Sequence, residues 1–140
     1  MAFHLGGYSV KKKLLIVVGL ILLVGIGSGL TYLYQVRSYQ NKIKNLTISD
    51  VPFSRLADGT YVGEYDVRFI DAKVQVSVQN GKVTKIDLLK HKNGHGAPAE
   101  AILKEIVAKQ TLEVDAVSGA SNSSKVLKKA VEIALVQGEK

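Results

Sequence analysis

Residues 60–89 read TYVGEYDVRFIDAKVQVSVQNGKVTKIDLL. Apolar and polar residues alternate along this stretch. Tyr61, Tyr65, Val67 and Phe69 fall on one face, and Glu64, Asp66 and Arg68 on the other. A period of two is that of a half-buried strand, here Thr60 to Phe69. A second strand is expected from Ala72 to Val78, with Val74, Val76 and Val78 inward. Asn80-Gly81 marks a turn, and a third strand follows from Lys82 to Leu89. A two-residue turn would set Val76 opposite Lys85 and mix the faces. A three-residue loop of Gln79, Asn80 and Gly81 pairs Val76 with Thr84 and Val74 with Ile86. The hydrophobic pattern selects that loop, with Gly81 in the left-handed position.

Downstream, the period changes. His91-Lys92-Asn93-Gly94-His95-Gly96 is a glycine-rich loop, and Pro98 suits the first turn of a helix. Ile102, Leu103, Ile106 and Val107 give that helix an apolar stripe as far as Gln110. Leu112 to Val117 is expected to be a short extended strand. A last helix, from Ser123 to Val136, turns Leu127, Ala130, Val131, Ala134 and Leu135 inward. The fold class is α+β, a small antiparallel sheet with two packed helices.

Upstream, no charged residue occurs between Lys13 and Arg37. The run LLIVVGLILLVGIGSGLTYLY, residues 14–34, meets the requirement of about 20 apolar residues to cross a bilayer core of about 30 Å. It exceeds the usual apolar core of a cleaved signal peptide, about 7–15 residues. It also ends in Tyr32, Leu33 and Tyr34 instead of a small-residue cleavage site. One N-terminal transmembrane helix therefore precedes the sheet. Residues 1–13 form a tail, 35–58 a stalk or linker, and 59–138 the folded domain. Fully extended, the stalk would reach at most about 80 Å. Lys11, Lys12 and Lys13 precede the span directly, which places the tail in the cytoplasm and the domain outside it.

The chain has 140 residues, a net charge of +7 and no cysteine. The absence of cysteine excludes disulfides and thiolate-held metal or iron–sulfur centres within the chain. The positive charge is scattered, without aromatic interleaving, so no nucleic-acid partner is expected. No set of nucleophile, base and orienting group points to substrate turnover, and the protein is not expected to be an enzyme in its own right.

The chemistry lies in residues 115–124, DAVSGASNSS. An extended segment turns into a helix through glycine and small polar residues. Gly119 permits close approach, and Ala120 keeps it open. The first turn of the helix presents unpaired N–H groups, which form a natural phosphate site, with the Ser121 hydroxyl at that place. The same residues also suit a helix cap that binds nothing. His91 and His95 have three readings: solvated loop residues, a metal pair, or, for His95 with the Gly94–Gly96 backbone, contact with a bound ring. The intervening glycines argue against a helix that would align them on a metal, and no metal site is expected.

The segment resembles the flavinylation motif of the FMN-binding domain family, an Asp, two variable residues and then Ser-Gly-Ala-Thr before a helix. Asp58-Gly59-Thr60-Tyr61, the hairpin from Val74 to Leu89, the helix start at Ala99-Glu100 and the closing helix resemble the family too. In that family the final Thr hydroxyl is esterified by the phosphate of FMN outside the cytoplasm. A separate flavin transferase, using FAD and a divalent metal, forms the ester. Here Asp115 matches the acid, Ser118 the Ser, Gly119 the Gly, Ala120 the Ala and Ser121 the modified Thr. The resemblance implies FMN joined to Ser121 by a phosphoester. Ser118 and the backbone of Gly119, Ala120, Asn122 and Ser123 would surround the phosphate, with His95 and Gly96 as candidates for ring contact. Asp115 would serve the transferase complex, orient the loop, or accept backbone N–H groups. The acceptor is Ser, not Thr, which keeps the hydroxyl and loses a methyl that restricts rotamers. The function implied is electron carriage by a membrane-anchored flavoprotein, with quinol-linked or other redox partners. The alternative class is a non-redox anchored module that binds a wall polymer or a protein.

The lysine cluster yields a first prediction. Protease added to spheroplasts should remove the C-terminal domain and leave the N-terminal tail protected. A domain cleaved only in inverted vesicles would reverse the assigned orientation.

Overall fold

The computed structural model describes residues 6–140, with side chains from Ser9 onward. The first five residues of the expected tail lie outside the described residues. The chain divides into two compact units, one ending at Ser38 and one spanning Tyr39–Lys140.

The first unit is helical. Helix α1 covers Gly6–Lys44 and continues into the second unit. It is long and apolar enough to cross a membrane. Its Leu, Ile and Val side chains from Leu14 to Leu33 are exposed. The two hydroxyls in its apolar stretch are satisfied within the helix. Ser28 Oγ donates to Val24 O at 2.7 Å and Thr31 Oγ1 to Gly27 O at 2.8 Å. Such back-bonding suits a medium that offers no water to polar groups.

The second unit contains strands β1 (Gly59–Asp66), β2 (Asp71–Gln79) and β3 (Lys82–Lys92), and helices α2 (Ala101–Lys109) and α3 (Ser121–Gln137). Short 3-10 turns cover Phe53–Arg55 and Ala97–Glu100. The sheet is antiparallel in the order β1-β2-β3. Helix α3 lies across β1 and β2, and α2 packs on β3. Ala72, Val74, Val76 and Val78 of β2 are buried beneath Val126, Leu127, Ala130, Val131, Ala134 and Leu135. The inward residues read from β2 and from the helical stripes are in the core or packed against it, as are Tyr61, Tyr65 and Val67, whereas Phe69 is not and Ile70 takes its place.

Gly63 sets how closely α3 approaches the sheet. A Cβ there would stand 1.9 Å from Ala130 O and 2.6 Å from Ala134 N. Only a residue without a side chain lets the helix backbone rest on β1.

Four local expectations are corrected. Strand β1 stops at Asp66, short of Phe69. Asp66 Oδ1 accepts the Arg68 N–H at 2.5 Å, Arg68 takes a positive φ of 78°, and Val67 N donates to Ile70 O at 3.0 Å. This turn still directs Val67 and Ile70 into the core.

The hairpin loop has two residues, not three. Asn80 and Gly81 both have positive φ, 53° and 69°, and Gln79 pairs with Lys82. That is the primed turn matched to strand twist. The faces are restored by a bulge: Val78 pairs with Val83, Ser77 with Lys85 and Val76 with Ile86, which leaves Thr84 as the extra residue. A second register shift leaves Leu89 extra, so Val74 pairs with Leu88 and Ala72 with His91. Asp58 Oδ1 holds the turn by accepting the Asn80 N–H at 2.8 Å.

Residues 112–117 form no strand and join no ladder, and they open on a tight turn in which Val114 N donates to Leu112 O at 2.9 Å. Their backbone is held by side chains instead. Asp50 Oδ1 accepts the Leu112 N–H at 3.0 Å, and Lys128 Nζ donates to Val114 O. The edge of β3 at Val83 is covered by Gln110, which accepts the Val83 N–H at 2.9 Å and donates to its carbonyl at 2.7 Å.

The expected stalk is largely part of the domain. Ile43, Val51, Phe53 and Leu56 are buried in the same core as the sheet. Ala57 N donates to Gly138 O at 2.7 Å, and Lys140 N to Arg55 O at 3.2 Å. The polar residues between these apolar ones hide a segment that returns to the core at intervals too irregular for strand or helix.

Candidate functional site

Helix α3 begins at Ser121, two residues before the expected start, because the preceding turn closes earlier. Val117 to Ala120 form a four-residue turn, with Ala120 N donating to Val117 O at 2.9 Å. Gly119 has a φ of 78°, the value that the third residue of a type II turn requires. Ser124 locks this turn onto the helix. Its Oγ accepts the Val117 N–H at 3.0 Å and donates to Ala120 O at 2.9 Å, while its own N–H donates to the same carbonyl at 2.9 Å. Ser124 is buried, so these bonds are not shared with water.

The start of α3 is open. Ala120 precedes it and provides no side-chain cap, and its first turn has no acidic residue. Among the described residues no hydrogen bond takes the N–H groups of Ser121, Asn122 and Ser123. Three parallel donors at the positive end of a 17-residue helix favour an anion. Ser121 and Asn122 are exposed, and Ser123 is buried.

The glycine-rich loop faces this helix start. Gly96 N donates to Asn93 O at 2.8 Å, and Gly94 has a φ of 56°. A Cβ on Gly96 would lie 1.9 Å from Ser123 Oγ. The glycine is what lets the loop close on α3. Between them opens a cleft of about 520 Å³, lined by Tyr39, Ile70, Asn93, His95, Gly96 and residues 119–123. That is within the usual range for a cofactor pocket, about 300–1,000 Å³.

The structure therefore gathers Gly119, Ala120, Ser121, Asn122, Ser123, His95 and Gly96 in one cleft. Asp115 and Ser118 are exposed and do not line it. The negative charge of Asp115 reaches Lys109, whose amine is raised above its ordinary value, first by its hydrogen bond to Glu105, then by the charge of Glu105 and least by Asp115.

His91 departs from the loop reading. It belongs to β3, and the bulge at Leu89 turns it inward. Its side chain is 2% exposed, with Nδ1 2.9 Å from Glu100 Oε1. Its Nε2 is buried with no partner among the described residues. His95 alone of the pair reaches the cleft. No group of three or more His, Cys, Asp or Glu side chains that could hold a metal occurs among the described residues.

Sequence reasoning did not single out Tyr39, Ile70 or Asn93 as cleft residues. Asn93 sits in the glycine loop and was within reach of that reading. Tyr39 and Ile70 come from segments distant in sequence and carry no local signal.

Residues 70–136 match the family described as the FMN-binding domain. The match covers β2, β3, α2 and most of α3, and so both sides of the cleft. These residues are an FMN-binding domain, and FMN is the cofactor. Comparison with curated proteins and with solved structures gives no match. The FMN-binding domain fits its cofactor at the level of individual groups. The unpaired N–H groups of 121–123 suit the phosphate, and the cleft beyond them has room and mixed polarity for the rest.

The Ser124 clamp yields a second prediction. Ser124→Ala leaves the half-buried Val117 N–H without its side-chain partner and should cost about 1 kcal/mol. Denaturant titration of the full chain checks it, and a change within error would show that the turn holds without the clamp.

Proposed function

We propose that the protein is a membrane-anchored electron carrier whose FMN is esterified to Ser121. The observation that carries this reading is the position of Ser121. It is the first residue of α3, exposed in the cleft, beside three unpaired N–H groups. A phosphate held by those donors lies where the Ser121 hydroxyl stands. Among the described residues no side chain is hydrogen-bonded to Ser121 Oγ, so a transferase would supply the base. In the reaction, the Ser121 Oγ–P bond forms as the pyrophosphate bond of FAD breaks. AMP leaves, and the hydroxyl proton passes to the base.

FMN supplies one-electron and two-electron redox chemistry, and the protein supplies position and environment. Gly96 and Ser123 shape the cleft, and His95 offers a polar group at its wall. In this reading the apolar run of α1 is the anchor, and the lysines before it favour a domain outside the cytoplasm. The compact unit begins at Tyr39, so the tether from Tyr34 is short, at most about 18 Å when extended. The carrier therefore works close to the membrane, within reach of a quinol-oxidising partner.

Intact mass tests the attachment. The native chain should gain one FMN less water, Ser121→Ala should lose the gain, and Ser121→Thr should keep it. Full retention in Ser121→Ala would move the ester to another serine.

The carrier role has its own test. Native membranes supplied with NADH should bleach the flavin absorbance, and an added acceptor should restore it. Flavin that dithionite reduces but energised membranes never do would remove the relay.

A further inference from the structure

We propose that Tyr39 is the aromatic wall against which the flavin ring lies. The inference rests on the reading of Ser121 as the phosphate end of the site. The phosphate is fixed at the start of α3, so the ring must lie elsewhere along the same cleft. Tyr39 is the one phenylalanine, tyrosine or tryptophan that lines the cleft among the described residues. It lies outside the span that matches the FMN-binding domain, so this chain adds it from its own N-terminal helix.

Its ring is held from two sides. Asn122 Nδ2 donates to Tyr39 Oη at 3.0 Å, which ties the wall to the residue next to Ser121. The Phe69 ring meets it edge-on, with centroids 5.3 Å apart and an interplanar angle of 81°. Phe69 is presented by the tight turn after β1, and the next residue, Ile70, continues the cleft wall. Tyr39 is only half-buried, so part of it remains open to the cleft. A planar, electron-poor ring system packs well on such a surface in an offset stack. Tyr61 and Tyr65 do not line the cleft. The Tyr61 hydroxyl donates to Ala57 O at 2.7 Å, and its ring lies against Gly138.

A phenol in contact with an excited flavin quenches its emission by donating an electron, and a phenylalanine ring does not. The chain has no tryptophan to do so instead. The test uses the full chain in detergent with FMN attached, and compares it with Tyr39→Phe, Tyr39→Leu and Tyr61→Phe. Intact mass reports the adduct, thermal melting the fold, and steady-state and time-resolved emission the ring contact. Tyr39→Phe should keep the adduct and the melting temperature while emission rises severalfold and the shortest lifetime disappears. Tyr39→Leu should do the same and also shift the visible absorption band, because the stacked surface is gone. Tyr61→Phe should leave emission unchanged. Emission from Tyr39→Phe equal to the parent's, with the adduct intact, overturns the proposal. A parent chain without the adduct overturns the Ser121 reading, and FMN added in solution then becomes the probe. Quenching by the parent but not by Tyr39→Phe still supports the aromatic wall, and equal emission with both removes it.

Discussion

The close approach of α3 to β1 at Gly63 is the contact on which the rest of the second unit depends. Helices usually pack on sheets through side chains. Here the backbone at Ala130 and Ala134 occupies the space that a Cβ on the strand would need. The alanines continue the same logic, since small side chains let the helix settle on the sheet. A second close approach, Gly96 against Ser123, lies about 10 Å nearer the helix start at 1.5 Å rise per residue. Two glycines from different loops and strands thus position one helix. Its N-terminus emerges where the glycine loop ends, and the cleft is the space left between them.

The same economy of side chains explains why the helix start is available to a ligand. A Ser, Asn or Asp immediately before α3 would satisfy its own N–H groups and compete with an anion. Ala120 cannot. The serine that does form hydrogen bonds, Ser124, acts one turn later and points them back to the turn at Val117–Ala120. The loop is rigid where it must be, and the first-turn donors stay free.

Strand β3 links the two walls of the cleft. Its two bulges, at Thr84 and Leu89, keep Val83, Ile86, Leu88 and His91 directed inward despite the changes of register. The second brings His91 under Glu100, and with it the end of the strand from which the loop at Asn93–Gly96 departs. Asn93 reinforces this with a bond from its amide to the His91 carbonyl at 3.3 Å. On the opposite face, Asp71 is buried and bonded to Lys90 at 3.0 Å. That hydrogen bond, and then the charge of Asp71, raise the Lys90 amine above its ordinary value.

Periodicity alone determined the apolar span, the three strands, the two helical stripes and the part of the core that the second strand and the last helix supply. Each of these follows from burial repeating at a fixed spacing, which is a local property. The open start of α3 was also legible, because the first turn of a helix leaves N–H groups without intrahelical partners. Tertiary structure decided the rest. The bulge that corrects a two-residue hairpin depends on what the opposite face packs against. His91 and His95 share a loop in sequence, yet one is buried and one reaches the cleft, because β3 extends further than its alternation indicates. Residues 35–58 read as a linker, since their few apolar residues have no period, and those that enter the core gain meaning only from it. Tyr39 meets Asn122 across a long stretch of chain, and no local pattern encodes a contact of that kind. It exists because Gly63 and Gly96 set the helix where Asn122 can reach the tyrosine hydroxyl.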